Sequence, residues 1–177
     1  MSKSIQNWRT PKWLFDYASD RWGPFDVDAA ARQEDTLCKR FISSEHTEEQ
    51  RSEILSDSLY IWCNPPFKLA RKFVRDIVDH VYTTTSKPHT ASVACLLLPA
   101  SLETKWFHMY HRYATTYVIH PRIKFDLPEE PRDEKDNLIE TCVRGNDSPR
   151  GATMFMLFGY YFERGQINIC NLSKNTK

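Results

Sequence analysis

The stretch Leu59-Tyr60-Ile61-Trp62-Cys63-Asn64-Pro65-Pro66-Phe67 guides the interpretation of the whole chain. It opens with an apolar run, which is typical of a buried strand. The two prolines that follow lack backbone N–H groups, so the strand has to end before them and the chain leaves the sheet with fixed φ angles. We therefore expect an amide, two rigid carbonyl groups and an aromatic ring at the C-terminal end of a strand, where open α/β sheets bind ligands.

This arrangement suits the alkylation of an exocyclic amine on a flat heterocycle, a poor nucleophile because its lone pair is delocalised into the ring. If the side-chain oxygen of Asn64 and the backbone carbonyl of Pro65 accept its two hydrogens, the nitrogen can become tetrahedral and direct its lone pair at an electrophilic methyl group. Phe67 would stack on the heterocycle. The predicted catalytic residues are Asn64, Pro65, Pro66 and Phe67. The alternative is that they form only a turn.

Further motifs lie at Asn7–Phe15, Gly23–Ala31, Tyr60–Phe67, Leu97–Ala100 and Arg122–Phe125. Together they resemble the phage-type Dam family of DNA adenine-N6 methyltransferases over most of residues 7–160. The resemblance implies an α/β fold, a single abbreviated Rossmann-like domain with a mostly parallel sheet and an antiparallel final strand. It also implies methyl transfer from S-adenosylmethionine (SAM) to adenine N6 in double-stranded DNA, with S-adenosylhomocysteine as product and no metal. GATC is the suggested recognition sequence, and related enzymes use Asn or Asp at the position of Asn64.

Composition favours one globular domain over residues 1–177, with loose ends at 1–7 and 166–177. The net charge is only +1, so affinity for DNA has to come from local patches. The five cysteines include no CxxC pair, which argues against a disulfide framework or a zinc site. Because no signal peptide or long apolar run is present, we expect a monomeric, cytoplasmic protein, in the host cytoplasm if it is phage-encoded.

The N-terminal motif predicts a capped helix. From Pro11 onward apolar residues recur at helical spacing, with Thr10 as N-cap and Pro11 at the first helical position. The resemblance implies that this segment is motif X, which helps to hold the methionine end of SAM. The cofactor contacts expected from it are Trp8, Thr10, Pro11 and Phe15. Packing alone also explains Trp8 and Phe15.

A short strand is predicted at Phe25–Asp28, where apolar and acidic residues alternate. In the enzymes that the chain resembles a glycine-rich turn follows, and here small alanines replace it. Ala29 and Ala30 still permit a close approach of the cofactor. Asp28 is the candidate partner of the SAM ammonium group; a surface carboxylate at a strand end is the alternative. How the cofactor is held without the glycine-rich turn is left open.

The segment between Asp28 and Asn64 is too short for two more strand–helix units of about 30 residues each, so this half of the fold is expected to be abbreviated. One short strand is predicted within Lys39–Ser43. Beyond it, Glu45 is a candidate for the ribose hydroxyls of SAM, as an acid is in dinucleotide folds. The alternative for Glu45–Glu53 is a solvated loop or helix face.

A helix is predicted after Phe67, because apolar residues between Ala70 and Val81 recur at core spacing. Its basic residues form a neighbouring stripe that would meet the phosphates beside a flipped base; a solvated face is the alternative. The candidate DNA contacts are Lys68, Arg71, Lys72, Arg75 and, in a later motif, Arg122.

In the second half of the chain, the sequence pattern predicts a central parallel strand at Val93–Leu98 and a helix within Ser101–Tyr113. Strand material is predicted at Tyr117–His120 and Ile123–Phe125, and a last, antiparallel strand at Thr153–Phe158. Residues 126–151 are charged and rich in proline. They are expected to form an insertion or mobile loop, either disordered or reading the DNA target.

Three functions remain open at this point. The first is the DNA adenine methyltransferase described above. The second is a methyltransferase for an RNA base or a protein glutamine, because the Asn-Pro-Pro-Phe corner also suits an amide nitrogen. The third is a DNA-binding relative without catalysis, suggested by the missing glycines after Asp28.

Overall fold

The computed structural model describes residues 5–83, 93–133, 137–139 and 151–172. It contains both helices and strands, with two short 3-10 turns at Phe67–Leu69 and His111–Tyr113. The helices are α1 (Lys12–Trp22), α2 (Glu48–Ser56), α3 (Ala70–Thr83) and α4 (Lys105–Tyr110). The strands are β1 (Val27–Asp28), β2 (Arg40–Phe41), β3 (Tyr60–Cys63), β4 (Val93–Pro99), β5 (Ala114–His120), β6 (Thr153–Phe158) and β7 (Gln166–Asn171).

All of these strands form one sheet in the order β2-β1-β3-β4-β6-β5-β7. The strands β2, β1, β3 and β4 are parallel to one another. Strand β6 is antiparallel to both β4 and β5. The predicted fold, a mostly parallel sheet with an antiparallel strand, is thereby confirmed. The antiparallel strand is not the final one, however, because β7 follows it and pairs parallel with β5.

Strand β7 corrects the expectation of a loose end from residue 166. Its six residues, Gln166–Asn171, pair along their whole length with Thr115–His120. The backbone hydrogen bonds of this ladder, together with the burial of Cys170, hold the segment at the edge of the sheet. Residues 173–177 lie outside the described part of the chain.

The sheet is covered on both faces. Alternate residues of β3 point to opposite sides, so Ile61 and Cys63 pack under α3 and α4, whereas Trp62 packs under α1. Val74 of α3 and Leu14 of α1 are fully buried against the two faces. The predicted buried strands and the helical core spacing after Ala70 are confirmed, because an apolar run covered from both sides needs no polar alternation.

The half of the sheet at β1 and β2 is abbreviated, as predicted. Each of these strands contains two residues. The helix that follows, α2, buries none of its residues and is stabilised by a capping box in which Thr47 and Gln50 bond each other's backbone N–H. The predicted strand within Lys39–Ser43 is thus short, and the solvated helix face is the better description of its continuation.

Residues near the N-terminus are anchored to the segment after β5, so residues 5–7 are not loose as expected. The insertion or mobile loop expected at 126–151 stays a prediction, because most of it lies outside the described residues. Ile5 is buried, and the N–H of Gln6 donates to the carbonyl of Arg132 at 2.9 Å. Arg9 and Asp126 exchange two backbone hydrogen bonds of 3.0 Å each. Residues 5–9 and 126–132 are therefore paired, while residues 1–4, 134–136 and 140–150 lie outside the described chain.

Two local expectations also need correction. Residues 123–125 form no strand, although Ile123 and Phe125 are buried in the core under α1. Helix α1 is capped by Pro11 rather than by Thr10, and no side chain bonds its first turn. The hydroxyl group of Thr10 is directed elsewhere, as the site shows.

Within the described residues, no cluster of His, Cys, Asp and Glu could hold a metal ion. The same residues include no helix with the length and apolar character needed to cross a bilayer. Cys38, Cys63, Cys95 and Cys170 are free thiols, and Cys142 lies outside the described ranges.

Candidate active site

The ends of β1 and β3 bring two candidate polar groups to one edge of the sheet. The strands are parallel, with Asp28 opposite Trp62, and the N–H of Ala29 donates to the carbonyl of Trp62 at 2.8 Å. Asn64 follows Trp62 by two positions, so it emerges at the same C-terminal edge as Asp28. The structure thus brings the predicted catalytic and cofactor segments together at this edge.

Asn64 is oriented by the segment before α1. Its Nδ2 donates one hydrogen bond to the backbone carbonyl of Trp8 at 3.2 Å and another to Oγ1 of Thr10 at 3.0 Å. A carboxamide nitrogen carries two hydrogens, so both are used. None of the described residues donates a hydrogen bond to Oδ1 of Asn64, a half-buried residue, so this oxygen is an acceptor without a described donor.

The two proline carbonyls have different roles. The carbonyl of Pro66 accepts from the N–H of Leu69 at 2.7 Å and so closes the 3-10 turn that begins at Phe67. The carbonyl of Pro65 accepts no hydrogen bond from any described residue. The corner therefore contains two acceptors without a donor from the described chain, Oδ1 of Asn64 and the carbonyl oxygen of Pro65, which are the pair that the amine chemistry requires.

The ring of Phe67 is half-buried and held from one side. It meets Phe125 edge to face, with 5.6 Å between the ring centroids and an interplanar angle of 83°. Phe125 is itself buried in the core under α1. Edge-to-face packing of this kind is favourable because the positive ring edge meets a negative ring face. Phe67 is thus supported by the core while part of its surface remains exposed.

Asp28 is a buried carboxyl group, 5% exposed. Its oxygens accept long hydrogen bonds from the N–H groups of Ala30, at 3.3 Å, and Leu37, at 3.5 Å. Burial raises the pKa of Asp28 from its ordinary 3.8 to about 7, and these weak hydrogen bonds offset the effect only in part. No described residue forms an ion pair with it. A cationic ligand group would therefore find an uncompensated carboxylate here.

The residues at this edge fit SAM. An ammonium group next to Asp28 would supply the missing positive partner, and the small residues Ala29 and Ala30 permit a close approach of the ligand. Pro11 is buried beside Thr10 in the segment that also holds Asn64. Glu45 lies in an exposed turn beyond β2, where its N–H donates to Oγ of Ser43 at 3.2 Å.

Two of the expected cofactor contacts have evident packing roles. Phe15 is buried and meets Trp62 edge to face, with 5.3 Å between the ring centroids. The ring of Trp8 packs partly on the same core, while its carbonyl holds Asn64. Phe15 therefore has a packing role in the hydrophobic core, and the main chain of Trp8 orients Asn64.

The basic stripe begins directly behind the corner. Lys68 lies in the 3-10 turn, and Arg71 and Lys72 are exposed on the first turn of α3. Arg75 differs from them, because its Nε and Nη2 donate to Oδ1 of Asp76 at 3.0 and 2.9 Å. This pair partly neutralises the charge of Arg75. Arg122 is exposed in the segment after β5.

Sequence reasoning assigned no role to the Thr10–Asn64 contact or to Phe125. Thr10 and Asn64 are 54 positions apart, and no local pattern links them. Phe125 did carry a signal, since it belongs to one of the quoted motifs and alternates with the apolar Ile123. That alternation predicts a strand, whereas in the structure it reflects two side chains of an irregular segment that are buried in the core.

The sheet order, the Asn-Pro-Pro-Phe corner and the buried carboxylate on the neighbouring strand are together those of a Rossmann-like methyltransferase. The chain belongs to the Dam family: the family model described as DNA N-6-adenine-methyltransferase (Dam) matches residues 2–174.

Two phage proteins are similar to the chain. A DNA N-6-adenine-methyltransferase of Escherichia phage T1 is 31% identical over 152 residues, which cover 86% of the chain and 54% of that protein. A DNA N-6-adenine-methyltransferase of Haemophilus phage HP1 (strain HP1c1) is 32% identical over 153 residues, covering 84% of the chain and 77% of that protein. The chain thus spans about half the length of the T1 relative.

Proposed function

We propose that the chain transfers a methyl group from SAM to the N6 amino group of adenine in double-stranded DNA. The observation that carries this proposal is the pair of acceptors at the corner, Oδ1 of Asn64 and the carbonyl of Pro65. Family membership supports the reaction class, and both similar phage proteins are named as DNA N-6-adenine-methyltransferases.

The corner would act by orienting the amine. Adenine N6 carries two hydrogens, and its lone pair is conjugated with the ring. When Asn64 and Pro65 accept both hydrogens, the lone pair is freed from conjugation and directed away from them. Pro65 supports this geometry because its ring restricts the backbone that carries the acceptor. When bound, SAM would supply a methyl group on a positively charged sulfur; as the N–C bond forms, the S–C bond breaks to leave S-adenosylhomocysteine, and one N6 hydrogen is lost as a proton to solvent. The task of the protein is orientation and electrostatics.

Adenine has to leave the DNA stack to reach this corner, and Phe67 is the residue proposed to receive it. Stacking on an aromatic side chain is worth roughly 1–3 kcal/mol per base, which offsets part of the unstacking energy. The support of Phe67 by Phe125 fixes the plane of the receiving ring before the base arrives.

For the cofactor we propose Asp28 as the partner of the ammonium group, with Ala29, Ala30 and Pro11 forming the adjacent wall. Glu45 is retained as the candidate for the ribose hydroxyls. The chemistry of Asp28 supports this assignment, because a carboxylate buried without a described cation gains most from a charged ligand group.

For DNA we propose phosphate contacts by Lys68, Arg71, Lys72 and Arg122, with a smaller contribution from Arg75. The exposure of these residues supports the assignment, as does the position of Lys68, Arg71 and Lys72 directly after the corner. GATC is the proposed target sequence. We further propose that the protein is a monomer. Action in the host cytoplasm is proposed because both similar relatives come from phages.

The test is to incubate the purified chain with methyl-labelled SAM and, separately, duplex DNA with GATC sites, the same duplex without them, RNA and lysate protein. The proposal expects label in the DNA, eluting as N6-methyl-2′-deoxyadenosine after digestion. Label in RNA or protein would replace the DNA substrate with another amine or amide. DNA binding without any label would identify a non-catalytic relative. Equal labelling of the two duplexes would reject GATC as the recognition sequence but would leave methyl transfer to DNA in place.

A further inference from the structure

We infer that Thr10 is a positioning residue, which together with the carbonyl of Trp8 turns the Asn64 amide so that its oxygen, and not its nitrogen, meets the target amine. The inference rests on the proposed catalytic role of Asn64. It assigns Thr10 to the catalytic corner in place of the cofactor contact expected from the sequence, and it explains why an amide is suited to position 64 of this chain.

The argument starts from the near-symmetry of a carboxamide. Its oxygen and nitrogen have similar shapes, so packing alone leaves two orientations that differ by half a turn. Only one of them presents an acceptor to the adenine amine. The other would present N–H donors to N–H donors and prevent the reaction.

The carbonyl of Trp8 distinguishes the two orientations. A backbone carbonyl only accepts, so the atom of Asn64 at 3.2 Å from it has to be the nitrogen. Oγ1 of Thr10, at 3.0 Å, takes the second hydrogen of the same nitrogen. With both hydrogens of the nitrogen held here, Oδ1 has to occupy the other branch of the planar amide, where no described residue donates to it.

The two anchors are themselves fixed. The residue between them, Arg9, exchanges two backbone hydrogen bonds of 3.0 Å with Asp126, and Pro11 caps α1 on the other side. Thr10 is buried, at 8% exposed. The hydroxyl therefore cannot turn freely into solvent, and water has poor access to replace it as the acceptor for Asn64.

The decisive variant is Thr10→Val, which keeps the shape of the side chain and removes the hydroxyl. One N–H of Asn64 then loses its acceptor, and the remaining contact to Trp8 has to hold the amide alone. We expect the maximal rate of methyl transfer to fall about tenfold, as a lost hydrogen bond to a buried group implies. The concentrations of SAM and DNA at half-maximal rate should stay within about twofold.

Two further variants exclude a merely structural effect. Thr10→Ser retains the hydroxyl and should restore most of the rate. Thr116→Val makes the same chemical change at another buried threonine, on β5, whose Oγ1 has no hydrogen-bond partner among the described residues. It should leave the rate unchanged. Thermal unfolding of each variant identifies any loss of rate that is caused by instability, because an unstable variant would unfold at a lower temperature than the wild type.

The outcomes separate this inference from the proposed function. A normal maximal rate for Thr10→Val, with or without a raised SAM requirement, would overturn the positioning role; a raised requirement would return Thr10 to the cofactor site. Asn64→Ala is measured alongside. If Asn64→Ala is inactive while Thr10→Val is normal, only the inference fails. If Asn64→Ala retains the wild-type rate, the catalytic assignment itself is wrong.

Discussion

Asn64 and Asp28 end neighbouring strands at the same edge of the sheet, yet the chain treats them in opposite ways. The amide of Asn64 has both of its hydrogens bound by Trp8 and Thr10, so its orientation is set before any ligand arrives. The carboxyl of Asp28 is buried with only two long hydrogen bonds and no ion pair to a described residue. On the proposed function, the protein preorganises Asn64, whereas the ligand completes Asp28.

This difference follows from what each group has to do. An acceptor that directs a reacting amine contributes most when it needs no reorganisation during the reaction. A carboxylate that binds a cation gains most when its own chain supplies no competing cation. Loss of Asn64 should therefore affect the rate, whereas loss of Asp28 should affect the affinity for SAM.

The largest effect is expected for Asn64→Ala. Removing one of the two acceptors that orient the amine should lower the rate of methyl transfer by about 100-fold or more, as removal of an oriented hydrogen-bonding group does in other enzymes. The dissociation constant for SAM, measured by calorimetry, should remain within about twofold. If Asn64→Ala kept the wild-type rate, Asn-Pro-Pro-Phe would be only a turn and would have no catalytic role.

The variant Asn64→Asp tests whether position 64 needs the N–H donors of an amide as well as its acceptor oxygen. Resemblance alone suggests that aspartate is tolerated here, but an ionised carboxylate would place an oxygen against the carbonyl of Trp8 and remove both donors. We therefore expect Asn64→Asp to be impaired at pH 8 and to recover as the pH falls, because a protonated carboxyl can again donate to Trp8. The check is the ratio of variant to wild-type rate across pH. A ratio that does not vary with pH would contradict this expectation.

The next effect is expected for Asp28. Because its pKa in the free protein is about 7, the carboxyl has to lose a proton before it pairs with an ammonium group at lower pH. The dissociation constant for SAM should therefore rise by up to about tenfold per unit as the pH falls below 7. Asp28→Asn should bind SAM at least tenfold more weakly at pH 7.5 and lose this pH dependence. The same pH dependence in both proteins would exclude Asp28.

The same group predicts how stability changes with pH. The pKa of Asp28 is higher in the folded chain than in the unfolded chain, so the folded chain binds the proton more tightly. Its contribution to the stability of the ligand-free protein is complete below about pH 4 and is lost as the pH rises through about 7. Thermal unfolding of Asp28→Asn should lack this decline between pH 5 and 8, and SAM should stabilise only the wild type strongly.

A smaller effect is expected for Phe67, which the core supports but does not enclose. Phe67→Ala should lower kcat/KM for DNA by about tenfold, since base stacking is lost. Phe67→Tyr and Phe67→Trp should retain activity because they offer a flat face. Phe125→Leu keeps an apolar side chain under Phe67 and should cost less than Phe67→Ala. Wild-type kcat/KM for Phe67→Ala would place the adenine elsewhere.

The smallest effect is expected on the basic stripe, where Arg71 and Arg75 form a matched pair on one helix. Arg71 has no ion pair with a described residue, whereas Arg75 is paired with Asp76. Arg71→Ala should weaken binding to cognate and non-cognate duplexes equally and reduce the slope of log K against log salt by about one. Arg75→Ala should change the slope less. Equal slopes for both variants and the wild type would favour a solvated face.

The parts of the fold that could be predicted have local signals. The apolar run of β3, its termination at Pro65 and the helical spacing of α3 are each contained within a few turns of chain. Strand β7 has a weaker signal, since polar and apolar residues alternate only from Gln166 to Ile169, and the two isoleucines of that alternation are exposed. It was missed because a weak alternation at a chain end becomes a strand only through its pairing with β5.

In the candidate site, too, some features have a local sequence signal and others depend on distant contacts. The residue types at positions 64–67 indicate their chemistry because each group has few other uses at the end of a strand. The partners that orient them do not follow from the sequence, because Thr10 reaches Asn64 across 54 positions and Phe125 reaches Phe67 from an irregular segment. Such contacts depend on how the N-terminal segment pairs with residues 126–132, which no periodicity encodes.

The most direct test of the account is single-turnover methyl transfer to duplex DNA, measured against SAM concentration for the wild type, Asn64→Ala and Asp28→Ala. Asn64→Ala should give a plateau at least about 100-fold lower, with an unchanged half-saturating concentration. Asp28→Ala should reach a plateau near that of the wild type at a half-saturating concentration raised tenfold or more. A wild-type plateau for Asn64→Ala, or a collapsed plateau with normal half-saturation for Asp28→Ala, would contradict the division of roles between the two strand ends.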